Sequence, residues 1–345
     1  MPIAGPILVM LTGVLWGTTG TSLALSAHSG SALGFGAARS TLAGVVLLAL
    51  ALWRPGPAAF VRAWRSRPQR VALLLGAVFM AVYQLSFFVA TTHTGVVVGT
   101  LTAIGSAPLI AGLIGIVTGT RPTRSWALAT AVGLAGLALL IGGGGGAGDG
   151  ARVNLLGVLA GVAAGAGYAA YAVCSRRVLD AGTPPQVVLA VFFAGAALIV
   201  APLALPEAVR WVADPAGALT VGYVGLVATV LPYLMWIRGM ATTAPALATT
   251  LNLTEPLTAT VLGALVLHEA FTAPVAIGAA LIAVGLLVAL RAAPTETAAP
   301  SNATAPTGAA EPAAGTGTPA AGQGAAGGER HGVSGASPGP SGGRR

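Results

Sequence analysis

The sequence predicts an all-α integral membrane protein: ten transmembrane helices arranged as two inverted five-helix repeats, followed by a disordered C-terminal tail. Three observations carry that expectation. Hydrophobic residues make up 55% of the 345 positions and charged residues only 8%, whereas a soluble domain is about 25% charged. The apolar residues gather into ten stretches, each close to the length of about 20 residues that crosses a bilayer as a helix. The chain is also written twice. Gly-Ser-Ala-Pro-Leu-Ile-Ala-Gly-Leu-Ile-Gly at 105–115 recurs as Leu-Thr-Glu-Pro-Leu-Thr-Ala-Thr-Val-Leu-Gly at 253–263. Upstream, Tyr83 with Thr91-Thr92 mirrors Tyr233 with Thr242-Thr243; downstream, Thr120, Thr123 and Gly136 mirror Glu269, Thr272 and Gly285. Internal duplication in a polytopic chain is a mark of secondary transporters.

The expected spans are 3–25, 32–53, 71–92, 95–118 and 126–146, then 154–175, 186–206, 217–237, 245–267 and 272–291. Loops marked by Arg, Gly or Pro separate most of them; only Thr92-His93-Thr94 divides the third from the fourth. Ala24-Leu25-Ser26 resembles a signal-peptide cleavage site. No basic residue precedes that apolar run, however, and the repeat requires it as the partner of span six, so it is read as retained. The first repeat is 1–147 and the second 151–291. Five spans are an odd number, so the second copy enters the membrane upside down. The glycine run 142–150 reads as a flexible linker, since no Gly-Lys-Ser/Thr follows to make a phosphate loop. Residues 292–345 are Ala, Gly, Pro, Thr and Ser with scattered charges and cannot bury a core, which predicts a disordered cytoplasmic tail.

The net charge of +8 comes from arginine alone, because the chain contains no lysine. Arg54, Arg62, Arg65, Arg67 and Arg70 fill the loop after span two. Arg121 and Arg124, Arg176 and Arg177, Arg238, and Arg291 follow spans four, six, eight and ten. The opposite loops hold only Arg152 and Arg210. This alternation is the positive-inside pattern, which predicts a multi-pass plasma-membrane protein with both termini cytoplasmic. It is a topology signal and excludes a nucleic-acid patch. The single Cys174 forbids an internal disulfide and reads as a small core residue. His28, His93 and His268, isolated from other ligand types, make no metal site. Gly105-Ser106 lacks the Gly-x-Ser-Gly setting of an intramembrane hydrolase. No catalytic residue and no cofactor is expected.

Helices in lipid approach closely through small residues, and Gly157, Gly161 and Gly165 form overlapping GxxxG motifs that predict a tight packing face. Charges inside spans are few. Glu255 lies near the middle of span nine, where a carboxylate costs about 2.5–3.5 kcal/mol on insertion scales, and Asn252 stands three residues earlier. Arg39 lies in span two. Two readings of Glu255 stay open: neutralisation by Arg39 or exposed backbone, and a carboxylate that handles protons or substrate. Only the second repeat carries the acid, with Ala107 in the equivalent place. Trp16, Tyr83, Gln84, Tyr168, Tyr171, Tyr233 and Trp236 fall within spans. From this set Trp16, Tyr83, Gln84, Tyr168, Tyr233, Asn252 and Glu255 are the candidate lining of a central cavity that takes a small-molecule substrate.

Leu15-Trp16-Gly17, Arg39, and the Pro-Leu-x-Ala-x-x-x-Gly segments at 108–115 and 256–263 together resemble the drug/metabolite transporter superfamily. Glu269-x-x-Thr272 with Gly278, Leu281-Ile282 and Gly285 points to its EamA-like ten-helix branch. The resemblance covers 1–291; Thr120 departs from it, standing where the family carries an acid. It implies export or exchange of small metabolites, such as amino acids or drugs, by alternating access, with proton coupling through Glu255 as one reading. The alternative is a membrane binding or accessory protein that keeps the fold without transporting. Neither substrate nor oligomeric state is legible in the sequence.

Overall fold

The computed structural model describes residues 4–26, 30–119, 122–143, 154–268 and 272–291. His28, Thr120, Glu269, most of the glycine linker and the expected tail 292–345 lie outside the described residues. Every element within them is helical: α1 (Ala4–Ala24), α2 (Ala32–Trp53), α3 (Pro57–Arg65), α4 (Arg67–Val117), α5 (Arg124–Gly143), α6 (Leu155–Asp180) and α7 (Pro185–Ala213). There follow α8 (Pro215–Gly225), a π-helical turn (Leu226–Val230), α9 (Leu231–Met240), α10 (Pro245–Leu251), α11 (Thr254–Val266) and α12 (Ala273–Arg291).

Among the described residues, seven helices are long and apolar enough to cross a membrane: Ala4–Ala24, Leu33–Trp53, Arg67–Thr94, Leu155–Asp180, Pro185–Ala213, Pro215–Met240 and Ala273–Arg291. Thr102–Val117 and Arg124–Leu140 are apolar but shorter. Span nine, expected as one helix, is divided between α10 and α11. Pro256 supplies the reason: it has no N–H to offer the carbonyl of Asn252, four residues back, and its ring crowds that carbonyl. The Glu255 N–H bonds to the Asn252 carbonyl instead, at 2.9 Å.

α4 would be roughly 76 Å long if straight, at about 1.5 Å per residue. It is not straight. A Cβ placed on Gly99 would lie 2.8 Å from the backbone nitrogen of Thr91, an approach possible only if the chain doubles back between them. α4 is therefore two antiparallel arms, matching the expected third and fourth spans. α3 occupies the arginine loop after span two, where no helix was expected. Ala59 and Ala63, four residues apart, are buried beneath it, and Arg62 and Arg65 are exposed.

Helix pairing follows the sequence repeat. α6 packs against both arms of α4, while its counterpart α1 packs against α9 and α11; α2 meets α7, and α5 meets α12. Exchanging the two repeats carries each of these pairings into another or into itself. Glycines set the spacing. A Cβ on Gly13 would lie 3.0 Å from the backbone nitrogen of Glu255, and one on Gly165 would lie 3.0 Å from that of Ala107, which are the matching residues of the two repeats. The expected packing face of α6 is occupied throughout: Gly157, Gly161 and Gly165 are buried against Thr94, Thr102 and Ser106.

The outer surface is apolar, with Leu198 78%, Leu219 77% and Leu265 71% exposed. Surfaces of this kind are unstable in water and are the expected lipid face of a membrane bundle.

Candidate functional site

The pairings that follow the repeat also bring the mid-span aromatics together. Trp16 of α1 and Tyr233 of α9 stand 5.0 Å apart between ring centroids; Tyr83 of α4 and Tyr168 of α6 stand 5.7 Å apart. These two pairs are equivalents, one from each crossing of the halves. Trp16 and Tyr168, at 6.5 Å and nearly perpendicular, join them into one cluster. Such tilted and edge-on arrangements satisfy the ring quadrupoles.

Two residues left out of the expected lining belong to the cluster. Tyr171 lies 5.1 Å from Tyr168 and 5.4 Å from Trp236, and its hydroxyl is 3.4 Å from that of Tyr233. The signal was present in the sequence: Tyr168/Tyr171 and Tyr233/Trp236 are both i, i+3 pairs, which share a helical face. Phe193 of α7 adds an edge-on contact to Tyr233 at 4.6 Å.

The charged residues lie beside this cluster. Glu255 is half-buried in the first turn of α11, where the positive end of the helix dipole favours a carboxylate. It is within electrostatic reach of Arg39, Tyr83 and Tyr233. Among the described residues no ion pair at contact distance joins Glu255 to Arg39. The Arg39 guanidinium donates instead to the hydroxyl of Thr229, at 3.3 Å. Thr229 sits in the π-helical turn, and its own hydroxyl bonds to the Val224 carbonyl five residues back, at 2.8 Å. Pro232 follows two residues beyond the turn, and its carbonyl accepts from Thr12 of α1 at 3.2 Å. Turns of this kind inside a helix are frequent at functional sites.

Asn252 occupies the break between α10 and α11. It is 2% exposed, and neither its amide nitrogen nor its amide oxygen has a hydrogen-bond partner among the described residues. The Tyr168 hydroxyl and the Trp236 indole nitrogen are likewise buried; they lie near each other, but neither makes a hydrogen bond of good geometry among the described residues. Leaving such groups unsatisfied costs about 1–3 kcal/mol each, so each calls for an explanation. Gln84 is placed differently from its neighbour Tyr83. It turns to α2, where its side-chain oxygen accepts from Ser40, and its amide nitrogen is unpartnered. The structure thus gathers Trp16, Tyr83, Tyr168 and Tyr233, sets Glu255 and Arg39 beside them, places Asn252 at the adjoining helix break, and directs Gln84 to the α2 side.

A polytopic α-helical bundle of two sequence repeats, with aromatic and polar groups buried where the repeats cross, defines the class of membrane transport proteins. The sequence pattern of the EamA-like transporter family matches residues 3–142 and 155–291, and the chain belongs to that family. It is 38% identical over 289 residues to the uncharacterized transporter YwfM of Bacillus subtilis (strain 168), covering 84% of this chain and 94% of the relative. A crystal structure of a protein 23% identical superposes with a TM-score of 0.68 over 82% of this chain and 96% of that one, which shows a shared fold. The chain is a multi-pass membrane protein of a transporter family, and that family implies a small-molecule substrate.

Proposed function

We propose that this protein is a secondary active transporter that exports or exchanges small metabolites, such as amino acids or drugs, by alternating access. The carrying observation is the ring cluster of Trp16 and Tyr233 with Tyr168 and Tyr83, built from equivalent spans of the two repeats. A substrate held there meets one surface from each half. In this reading the helices make ten membrane crossings, the second repeat is inverted, and both termini are cytoplasmic. Inverted repeats that rock about a shared site give two mirror-related states, one open to each side.

The aromatic rings supply stacking surface, and the unpartnered Asn252 amide and Tyr168 hydroxyl supply hydrogen bonds that fix orientation. Glu255 is the proposed proton-coupling group, because a carboxylate facing alternately to two compartments can load a proton on one side and release it on the other. The absence of a direct ion pair with Arg39 favours this reading over a permanently neutralised pair. The test is flux of a broad metabolite panel into proteoliposomes. A transporter moves at least one panel compound above the rate of empty liposomes. Saturable binding without flux would make the chain a binding or accessory protein that keeps the fold.

A further inference from the structure

A cavity lies at the arginine-bearing end of the bundle, where the start of α4 meets the end of α6. It has a volume of about 450 Å³, and its lining includes Arg67, Gln69, Val71, Leu75, Cys174 and Arg177. Arg67 and Arg177 are exposed, and among the described residues neither has a hydrogen-bond or ion-pair partner. Their neighbour Arg176 is different: it pairs with Asp180 at 2.9 Å and donates to the Met240 carbonyl at 3.1 Å. The local acid is thus already engaged, and two cations remain to face one cavity. Gln69 is held in place by its bond to the Ala181 carbonyl at 2.9 Å. Arg67 is also the first residue of α4, whose free N–H groups add the positive end of a helix dipole.

The rest of the cavity is apolar. Val71 and Leu75 follow Arg67 at successive turns of α4 and are 46% and 44% exposed, so the wall below the arginines opens toward lipid. α3 packs against the start of α4 with Arg62 and Arg65 exposed, as an amphipathic helix in the headgroup layer does. A basic rim above an apolar wall fits an amphiphile with an anionic head, and basic pockets between membrane helices bind anionic headgroups.

We propose that this cavity holds an anionic phospholipid of the phosphatidylglycerol type. Its phosphate lies between Arg67 and Arg177, and one acyl chain runs along Val71 and Leu75. Free phosphate shares the headgroup chemistry but gains nothing from the apolar wall.

Cys174 lines the cavity and is the only cysteine in the chain, so the protein carries its own reporter. The full chain is placed in nanodiscs of phosphatidylcholine, with or without phosphatidylglycerol, and the rate of maleimide labelling of Cys174 is measured. Phosphatidylglycerol slows labelling several-fold in the natural protein and not in the Arg67→Gln/Arg177→Gln variant. Inorganic phosphate added to phosphatidylcholine discs leaves the rate unchanged. Native mass spectrometry of the same samples reads lipid retention directly, and the double variant retains phosphatidylglycerol roughly 30-fold more weakly. Equal retention by the natural protein and the variant overturns the proposal even if Cys174 labels slowly in every bilayer. Protection of Cys174 by inorganic phosphate alone also overturns it, in favour of a free-anion site.

Discussion

Glu255 and Arg39 show how one residue pair separates two mechanisms. Both lie within the bundle, each within the field of the other, yet the guanidinium bonds to Thr229. If Glu255 couples transport to protons, Glu255→Gln keeps the packing and still exchanges substrate, but flux no longer responds to a pH gradient. If the residue serves the fold, Glu255→Gln lowers folded yield, and adding Arg39→Gln restores it. Flux against imposed pH gradients, read beside size-exclusion yield, distinguishes these outcomes. The polar equipment is lopsided: Ala107 and Ile104 stand in the first repeat where Glu255 and Asn252 stand in the second. Scaffold symmetry and site chemistry are thus separable, with the rings contributed by both halves and the amide and carboxylate by one.

Helices here are spaced by glycines, and the cost of crowding them differs from site to site. A Cβ on Gly17 would meet the Glu255 carbonyl oxygen at 2.7 Å, and one on Gly278 would meet the backbone nitrogen of Leu140 at 2.5 Å. Backbone cannot swing aside as a side-chain tip can. Gly17→Ala and Gly278→Ala should each destabilise by about 1–3 kcal/mol, the usual cost of overpacking. Gly20 is helical with nothing within 4 Å of the added carbon. Gly20→Ala should therefore stabilise, by up to about 1 kcal/mol, through helix propensity. Thermal unfolding in detergent of the three variants checks both signs. Span limits were largely legible, because length and hydropathy act locally: 32–53 is the observed α2, and 272–291 differs from α12 by one residue. The divided span nine and the π-helical turn were not, although Pro256 and Pro232 were in view. Whether a proline kinks, breaks or is absorbed depends on which neighbour satisfies the freed carbonyl. At Pro232 a long-range partner is visible only for the proline's own carbonyl, which accepts from Thr12, 220 residues away. The α3 helix was missed because five arginines in a loop read first as a topology signal.

At the scale of the whole molecule, the arrangement of the two repeats and the tail can be read directly by experiment. Reporter fusions after Arg70 and after Gly148 should report opposite sides of the membrane; agreement between them would remove the inverted repeat. Truncation after Ala293 should leave insertion and flux intact, since residues 292–345 hold no apolar periodicity and no ligand constellation. The duplication was legible from the motif at 105–115 and 253–263, and with it the correspondence of Tyr83 and Tyr233. The i, i+3 spacing placed Tyr171 on the face of Tyr168 and Trp236 on the face of Tyr233, but not the meeting of those two faces, because ring-to-ring contact between distant helices leaves no local trace. The same holds for Gln84, whose turn toward Ser40 depends on α2 lying beside α4.

Polar groups buried without hydrogen bonds in this bundle are proposed to serve a ligand. The direct measurement is flux and thermal stability together, in proteoliposomes of Tyr168→Phe and Asn252→Leu. Each substitution removes groups whose burial costs about 1–3 kcal/mol when unpaired. Both variants should unfold at the same Tm as the natural protein or a higher one, while flux of the identified substrate falls, to near the empty-liposome rate for Asn252→Leu. Variants that lose stability and keep full flux per folded molecule would show that the two groups serve the fold and not the substrate.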